Sequence, residues 1–360
     1  MIPQSLEAAA GQVLVVGYEG VEPPALLRDR AAAGALGGFI LFRRNVGNPS
    51  EVAALTAGLR ALFPPGLPPW IAIDQEGGRV ARLGSPVVRL PAARVLGDLD
   101  DVALTLDAGA LLGRQLGWLG INLDFAPVLD VATNPHNPVI GDRSFGADAA
   151  RVIRHARAFA AGLAQSGITA CGKHFPGHGD TAQDSHHTLP RLTHDEARLR
   201  QVELAPFAAL AAELPCIMTA HVVFEAWDPG VPATLSARVV SGLLRDQLGF
   251  RGLVFSDDLE MKAIAGEYGL NEAACRAIDA GCDALLVCSK QDHVESAYAG
   301  LLRRAERDRA FAARLENAAA RSLAARREHA GVARTPEDLP RLLERTSAEL
   351  EARLSRARMV

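Results

Sequence analysis

Cysteine is scarce in this 360-residue sequence: there are five, an odd number, and no two of them form a Cys-x-x-Cys pair. The pattern shows neither a framework of paired disulfides nor a zinc-type spacing. Most of the five fall inside apolar runs. We therefore predict reduced, buried cysteines, as in a cytoplasmic protein; they are Cys171, Cys216, Cys275, Cys282 and Cys288.

A strong excess of charge is also absent. Lysine and arginine together number 38 against 42 aspartates and glutamates, for a formal net charge of -4. This balance gives no electrostatic reason to expect nucleic acid or an acidic membrane as a partner. No apolar run reaches the roughly 18 to 20 residues of a membrane span, and the N-terminal segment lacks a secretory pattern. We expect a cytoplasmic protein with no nucleic-acid or membrane partner.

The sequence lacks GxxxxGK[ST], and no GxGxxG follows its first strand-like run, which argues against phosphate binding by such loops. A metal site is a second alternative, because several side chains between positions 174 and 186 suit zinc or another divalent ion. Their spacing does not match the helical HxxxH or HExxH patterns. We predict no metal ion and no organic cofactor; the residues considered are His174, His178, Asp180, Asp184 and His186.

The sequence does have one dense polar segment, KHFPGHGDTAQDSHHTLP, from Lys173 to Pro190. It holds four histidines, two aspartates and a lysine, with Gly177 and Gly179 between them. The segment follows ITACGKHF, an apolar run with β-branched residues that predicts a buried strand. Loops of this kind commonly carry the chemistry of α/β proteins, so this segment is a candidate active-site loop.

Short apolar runs alternate with longer amphipathic patterns, which predicts a parallel sheet. Eight such units favour a single closed (β/α)8 barrel of the TIM type over an open sheet. We predict a barrel domain over residues 1–300 and an arginine-rich helical C-terminal extension over residues 301–360, either packed on the barrel or trailing from it. Two helical patterns are long, at residues 194–214 and 291–327. The eight apolar runs are QVLVVGYEG, GGFILF, WIAIDQEGG, INLDFAPVLD, ITACGKHF, CIMTAHVVF, RGLVFSDDLEM and CDALLVCS.

Active sites of such barrels lie at the C-terminal ends of the strands, and five of the eight runs end in polar groups. Helix capping is the simpler explanation for a single aspartate, and Asp257 with Glu260 resembles a capping box. Capping does not explain a lysine and two histidines at equivalent positions. We therefore expect a site formed at the strand ends by Asp74, Asp124, Lys173 with His174, His221 and Asp257.

These residue types suit hydrolysis of a glycosidic bond. A retaining glycosidase needs an ionised carboxylate to attack the anomeric carbon and a second group to protonate the leaving oxygen. Asp257 at a strand end is a candidate nucleophile. Asp184 and His186 lie two positions apart, so the carboxylate can orient the imidazole and support its charge. Hydrogen bonds to sugar hydroxyls and an acetamide would come from Asp74, Arg82, Arg143, Lys173 and His174.

Four motifs occur in the order IDQEGGRVARL, GDRSFG, KHFPGHGDTAQDSHHTLP and FSDDLEM. Together they closely resemble the family 3 glycoside hydrolases, in particular the single-domain bacterial β-N-acetylglucosaminidases of peptidoglycan recycling. The resemblance runs from the first strand-like run through GCDALLVCS, which is most of the chain. It implies an enzyme that removes terminal β-linked N-acetylglucosamine with retention, from muropeptide fragments such as N-acetylglucosaminyl-anhydro-N-acetylmuramic acid.

The resemblance also implies a role for each motif residue. Asp257 matches the nucleophile that forms a covalent glycosyl-enzyme, His186 matches the acid/base, and Asp184 matches the aspartate paired with it. His187 follows directly, so the choice between the two imidazoles rests on the motif. The expected partner is a small carbohydrate, bound by a monomer; the terminal sugar is held at the positions matched by Asp74, Arg82, Arg143, Lys173 and His174.

Two alternative functions stay open. A β-glucosidase or β-xylosidase of the same family would not require an acetamido group on the sugar. A sugar-binding barrel that has lost catalysis would bind a ligand without turning it over. Other residues have structural interpretations: His178 and Asp180 would shape the loop, Asp258 would cap or support Asp257, and His221 would either line the pocket or end its strand.

Overall fold

The computed structural model describes residues 5–182, 189–329 and 335–357, and at its centre eight parallel strands form a closed barrel. The barrel strands are β1 (Leu14–Val16), β2 (Gly38–Leu41), β3 (Trp70–Ile73), β4 (Leu123–Asp124), β5 (Thr169–Phe175), β7 (Cys216–Thr219), β9 (Leu253–Asp258) and β10 (Ala284–Val287). Strand β10 pairs with β1 and closes the ring. Each of the eight strand-like runs in the sequence contains one of these strands, so the predicted (β/α)8 fold is confirmed.

A second, two-stranded sheet lies outside the barrel. It pairs β6 (Arg191–Leu192) with β8 (Val223–Phe224), and both strands follow barrel strands at their C-terminal ends. The backbone after the polar segment is therefore tied to the chain that follows β7.

Helices surround the barrel, as its alternating pattern predicts. The inter-strand helices are α2 (Ala25–Ala32), α3 (Pro49–Ala61), α4 (Ala93–Leu99), α5 (Val102–Trp118), α6 (Ala149–Gln165), α7 (Glu196–Gln201), α8 (Ala205–Leu210), α9 (Lys262–Ala265) and α10 (Leu270–Ala280). The remaining α-helices are α1 (Leu6–Gln12), α11 (Gln291–Arg307), α12 (Arg309–Glu328) and α13 (Leu339–Ala357). A π-helix covers Arg238–Gln247, and 3₁₀ turns cover Arg43–Asn45, Gly141–Arg143 and Ala233–Leu235.

Two long helical patterns are interrupted in the structure. The pattern over residues 194–214 divides into α7 and α8, and Pro206 lies in the first turn of α8, where the missing proline N–H is not needed. The pattern over residues 291–327 breaks at Asp308. There the Asp308 carboxylate accepts hydrogen bonds from the backbone N–H groups of Ala310 and Phe311 and so starts α12.

The hydrophobic core has two layers because successive strand residues face opposite sides of the sheet. Val15, Ile40, Phe125 and Phe255 belong to the layer inside the barrel, where the two phenylalanine rings meet edge to face at 5.3 Å. Alternate strand residues such as Val16 pack outward against the helices. All five cysteines are free and buried, as predicted.

The C-terminal helices pack against the barrel. Helix α12 contacts α1, β9 and β10, and Ala325 packs on the inner layer of the core. Helix α13 contacts α3 and α5. The division at residue 300 falls within α11 and remains a prediction. Among the described residues, no helix combines the length and apolar character that crossing a membrane requires.

Arg326 of α12 is fully buried near the N-terminal end of the barrel. Its guanidinium donates to the carbonyls of Pro68 at 3.1 Å and Ser322 at 3.3 Å, and to the side-chain oxygen of Gln12. Burial lowers the pKa of Arg326 to about 9, so it is charged at neutral pH. One arginine of the tail thus joins α12 to the chain that enters β3.

We expect Arg326→Ala to lower the free energy of unfolding by about 2 to 4 kcal/mol, since it leaves a cavity and unpaired buried acceptors. Arg327→Ala is the matched control. Arg327 is exposed, and among the described residues its guanidinium donates to the Gly66 carbonyl alone, so removing this side chain should change the free energy of unfolding by no more than about 0.5 kcal/mol. Urea unfolding measures both values, and equal losses would contradict the structural role given to Arg326.

Candidate active site

A cavity of about 320 Å³ opens at the C-terminal ends of the barrel strands. Six of the eight predicted site residues line it. Asp184 and His186 lie outside the described residues. The six are Asp74, Arg82, Arg143, Lys173, His174 and Asp257.

The wall of the cavity is built around a buried network of charges. Lys173 at the end of β5 places its Nζ 2.7 Å from Asp74 and 2.7 Å from Glu76, both of which follow β3. Arg143 forms two hydrogen bonds to Glu76, of 2.9 and 2.8 Å, and Arg82 lies 3.1 Å from Asp74. Parallel strands end at one rim, which is why residues distant in sequence meet here.

Burial and charge act in opposite directions on the pKa values of this network. Burial alone would raise the pKa of Glu76, but Arg143 and Lys173 hold it well below its usual value. Burial would likewise raise the pKa of Asp74, and Lys173 and Arg82 lower it. The pKa of Lys173 is raised, because Asp74 and Glu76 outweigh its burial. All three groups are therefore charged at neutral pH.

Asp130 orients the two histidines that begin the polar segment. Its fully buried carboxylate accepts hydrogen bonds from the backbone N–H groups of His174 and His178, at 3.2 and 2.6 Å. One carboxylate oxygen also lies 2.7 Å from Nδ1 of His174. The Nδ1 atom of His174 therefore carries a hydrogen, and Nε2 faces Arg143 at 3.5 Å. Burial and the neighbouring His174 lower the pKa of His178 to about 4, so His178 is neutral at pH 7.

Asp257 enters the cavity from the end of β9. One of its oxygens accepts a 2.8 Å hydrogen bond from the Asp258 N–H. Burial alone would raise the pKa of Asp257, but the imidazoles of His221 and His174 bring it below its usual value. Asp257 is thus an ionised carboxylate at neutral pH.

Asp258 and His221 support this end of β9. The Asp258 carboxylate accepts from the backbone N–H groups of Glu260 and Cys288, at 3.0 and 3.3 Å, and its carbonyl lies 2.9 Å from Nε2 of His221. His221 is fully buried, and its other ring nitrogen lies 2.8 Å from the Thr234 hydroxyl. Burial raises the pKa of Asp258 to about 7.

Asp124, another strand-end aspartate, has a positioning contact. Its buried carboxylate accepts a 2.9 Å hydrogen bond from the backbone N–H of Gln75. Burial raises the pKa of Asp124 to about 7. The side-chain oxygen of Gln75 in turn accepts hydrogen bonds from the backbone N–H groups of Arg82 and Leu83, at 2.8 and 3.0 Å. Asp124 therefore anchors the turn that brings Arg82 to the cavity.

The structure also decides the interpretations based on capping and loop shape. Helix α9 starts at Lys262 without a side-chain cap, and Glu260 accepts the Lys290 N–H instead, so Asp257 and Glu260 form no capping box. Asp180 accepts from the Thr133 hydroxyl at 2.6 Å and pairs with His194, which fits its predicted role in shaping the loop. Within residues 5–182, 189–329 and 335–357, no group of three or more His, Cys, Asp or Glu could hold a metal ion.

Two residues of the site, Glu76 and Asp130, are not among the site residues predicted from the sequence. Glu76 joins Lys173 to Arg143, and Asp130 orients His174. Each did carry a signal: Glu76 lies two positions after Asp74 within IDQEGGR, and Asp130 is the last residue of the run INLDFAPVLD. Neither position shows which cation or imidazole it pairs with, because the partners are 67 and 44 residues away.

The sequence is similar to known proteins over most of its length. The glycosyl hydrolase family 3 N-terminal domain matches residues 5–325. A β-hexosaminidase of Alkalilimnicola ehrlichii is 42% identical over 288 residues, which are 78% of this chain and 82% of that protein.

Solved structures extend the likeness to three dimensions. A family 3 β-N-acetylglucosaminidase from Paenibacillus sp. superposes with a TM-score of 0.88 at 40% identity, covering 95% of this chain and 68% of that one. NagZ from Neisseria gonorrhoeae, in complex with N-trifluoroacetyl-D-glucosamine, gives a TM-score of 0.73 at 33% identity, covering 87% and 98%.

The family match and the β-hexosaminidase relatives show that this barrel is a glycoside hydrolase. The chain belongs to glycosyl hydrolase family 3.

We expect Glu76→Gln to lower the free energy of unfolding at pH 7 by about 3 to 5 kcal/mol, because two buried cations lose a shared partner. Asp142→Asn is the control: it removes the exposed partner of Arg79 and should cost about 0 to 1 kcal/mol.

The same variant has a defined pH dependence. The folded-state pKa of Glu76 is lowered, so its contribution is present above the ordinary value of 4.5 and is lost as the pH falls further. The stability difference between wild type and Glu76→Gln should therefore stay constant from pH 7 to about 4.5 and narrow below that pH. Denaturant unfolding at several pH values measures it, and a difference that stayed constant below that pH as well would contradict the charged network.

Proposed function

We propose that this chain is a retaining β-N-acetylhexosaminidase that removes terminal, non-reducing β-linked N-acetylglucosamine. The observation that carries the proposal is the meeting of an ionised Asp257 with the Asp74, Lys173 and Arg82 cluster in one cavity. The cavity, at about 320 Å³, suits a small ligand. The β-hexosaminidase and β-N-acetylglucosaminidase activities named for its relatives support the choice of sugar.

The proposed nucleophile is Asp257. A carboxylate that attacks an anomeric carbon must be ionised before it reacts, and the pKa of Asp257 is lowered despite its burial. The N–H of Asp258 donates to one of its oxygens and fixes the orientation of the carboxylate. Attack would give a covalent glycosyl-aspartate, and hydrolysis of that ester would restore the original anomeric configuration.

The proposed sugar-binding groups are Asp74, Arg82, Arg143, Lys173 and His174. Charged side chains form stronger hydrogen bonds with hydroxyl groups than neutral ones do, and their mutual pairing keeps them fixed before the sugar arrives. Arg82 Nε is buried and has no hydrogen-bond partner among the described residues. This unused donor beside the cavity supports the sugar-binding role proposed for Arg82.

The proposed acid/base is His186, supported by Asp184. Both lie outside the described residues, so this assignment rests on the DSH motif. A histidine with an ordinary pKa near 6.5 can both give and take a proton near neutral pH. His178 lines the same cavity, but its pKa of about 4 keeps the imidazole neutral at pH 7, where it is a poor proton donor.

The proposed natural substrates are muropeptide fragments carrying N-acetylglucosamine on anhydro-N-acetylmuramic acid, which would place the enzyme in peptidoglycan recycling in the cytoplasm. The resemblance of the four motifs to that group supports this assignment. Gonococcal NagZ was solved in complex with N-trifluoroacetyl-D-glucosamine, an N-acylated glucosamine, which fits an acetamido-sugar site. The monomeric state stays a prediction.

The test is hydrolysis of paired chromogenic β-glycosides, the N-acetylglucosaminide against the glucoside and xyloside. We expect turnover of the N-acetylglucosaminide and a loss of about 10³-fold or more in kcat for Asp257→Ala, because the covalent intermediate forms on that carboxylate. Asp246→Asn, which removes an exposed carboxylate from the π-helix, should keep wild-type rates.

Each outcome separates the alternatives. Turnover of the glucoside or xyloside in preference would favour a different glycosidase of the same family. Binding of N-acetylglucosamine without turnover of any glycoside by the folded wild type would favour the sugar-binding barrel. Full activity of Asp257→Ala would remove the nucleophile assignment.

The acid role of His186 has its own test. His186→Ala should be slowed less on a substrate with an activated phenolic leaving group than on an unactivated disaccharide, because a good leaving group needs little protonation. His187→Ala, the adjacent imidazole, is the matched control and should affect both substrates equally. Steady-state rates on the two substrates measure this, and equal impairment of His186→Ala on both would show that His186 is not the acid.

A further inference from the structure

The segment that carries Arg82 to the cavity has little regular structure of its own. We define residues 74–92, between β3 and α4, as the mouth loop. It contains no helix or strand, apart from an isolated bridge between Gly77 and Val80. Arg79, Val80 and Arg82 line the cavity from this loop. Side chains from elsewhere in the chain also contribute to holding this loop in place.

Gln115 of α5 supplies one such contact. It is fully buried, and its Oε1 accepts a 2.7 Å hydrogen bond from the N–H of Val88 in the mouth loop. Its Nε2 donates to the Thr346 hydroxyl at 2.6 Å and lies 3.2 Å from the Ser347 hydroxyl, both on α13. A single amide thus uses its oxygen on the mouth loop and its nitrogen on α13.

Helix α13 also contacts the mouth loop directly. The Ser347 hydroxyl donates to the Pro86 carbonyl at 2.8 Å. Further along α13, Glu351, Leu354 and Ser355 share a cleft with Gly78 and the segment 89–91 of the loop. The hydrogen bond from Ser347 lies on the C-terminal side of Arg82, and the cleft borders the loop on both sides of it.

Helix α13 is held in place by its apolar face. Leu339, Leu343, Leu350 and Leu354 repeat at helical spacing and are buried, and Arg353 pairs with Asp107 of α5. The family match ends at residue 325, and α13 lies entirely beyond it. Its contacts with the mouth loop are thus supplied by a part of the chain outside the matched family domain.

We propose that α13 positions the mouth loop, through Gln115, Thr346 and Ser347, and so sets the place of Arg82 in the sugar site. This inference rests on the proposed sugar-binding role of Arg82. Arg82 lies within this loop, and its guanidinium and N–H reach Asp74 and Gln75 at the start of the same loop, so these three residues move together if the loop shifts. A shift of the loop would weaken the binding of the sugar before it changed the attack by Asp257 on the opposite wall.

The test is the full-length double variant Thr346→Val with Ser347→Ala. We expect KM for the chromogenic N-acetylglucosaminide to rise about fivefold, with kcat changed less than about twofold, because uniform binding is lost and the nucleophile is untouched. Hydrogen exchange at Val88 should quicken, while amides in α6 exchange as in wild type. The single variant Ser347→Ala, which leaves Thr346 to accept from Gln115, gives a smaller change in the same direction.

Two matched variants separate positioning from general stabilisation. Arg353→Gln breaks the ion pair between α13 and α5 without touching the mouth loop, and should leave KM and exchange at Val88 unchanged. Ser347→Thr keeps the hydroxyl and should retain the wild-type KM. An equal rise in KM for Arg353→Gln would overturn the proposal, because any weakening of α13 would then suffice.

Failure of this inference is distinguishable from failure of the proposed function. A wild type that hydrolyses no N-acetylglucosaminide contradicts the function, whereas the exchange of Val88 still decides whether α13 holds the loop. Unchanged exchange in the double variant would overturn the positioning role. Faster exchange with an unchanged KM in an active enzyme would overturn the link from the loop to the sugar site.

Discussion

The site depends on one interaction above the others: Lys173, buried to 2% exposure of its side chain, shares its ammonium between Asp74 and Glu76. A buried charge without partners is costly, so each member of this network requires the others. Lys173 belongs to β5, Asp74 and Glu76 follow β3, and Arg143 lies in a 3₁₀ turn after β4. The pairing therefore fixes three separate segments at one rim and arranges hydrogen-bonding groups before any ligand binds.

Much of this arrangement is predictable because two simple regularities act together. Apolar runs spaced by helical patterns predict the strands, and the parallel topology of a barrel brings all their C-terminal ends to one rim. Asp74, Lys173 and Asp257 could thus be placed at one site from sequence alone. Glu76 and Asp130 could not, because their importance comes from partners in other strands. Sequence position shows that a carboxylate is near the rim, but only packing shows which cation or imidazole it meets.

The contacts of the C-terminal helices are even harder to predict from the sequence. Arginine spacing and mixed charges predict helix, and the structure contains helix there. The sequence does not distinguish Arg326, which is fully buried beneath the barrel, from the exposed Arg327 beside it. Nor does it relate Ser347 to Pro86, which lies 261 residues earlier. Such contacts depend on how a helix is rotated against the barrel, and that rotation is set by the buried leucine face.

The carboxyl groups of Asp124, Asp257 and Asp258 show how neighbouring groups, rather than burial alone, keep the proposed nucleophile ionised. Burial raises the pKa of Asp124 and of Asp258 to about 7, because their backbone N–H partners do not offset the loss of solvation and their acidic neighbours add to it. Asp257 is also removed from much of the solvent, yet the imidazoles of His221 and His174 lower its pKa. At neutral pH, Asp257 is therefore fully ionised while the other two are partly protonated. Partial protonation of Asp258 also limits the negative charge beside Asp257, which helps to keep the carboxylate of the proposed nucleophile ionised.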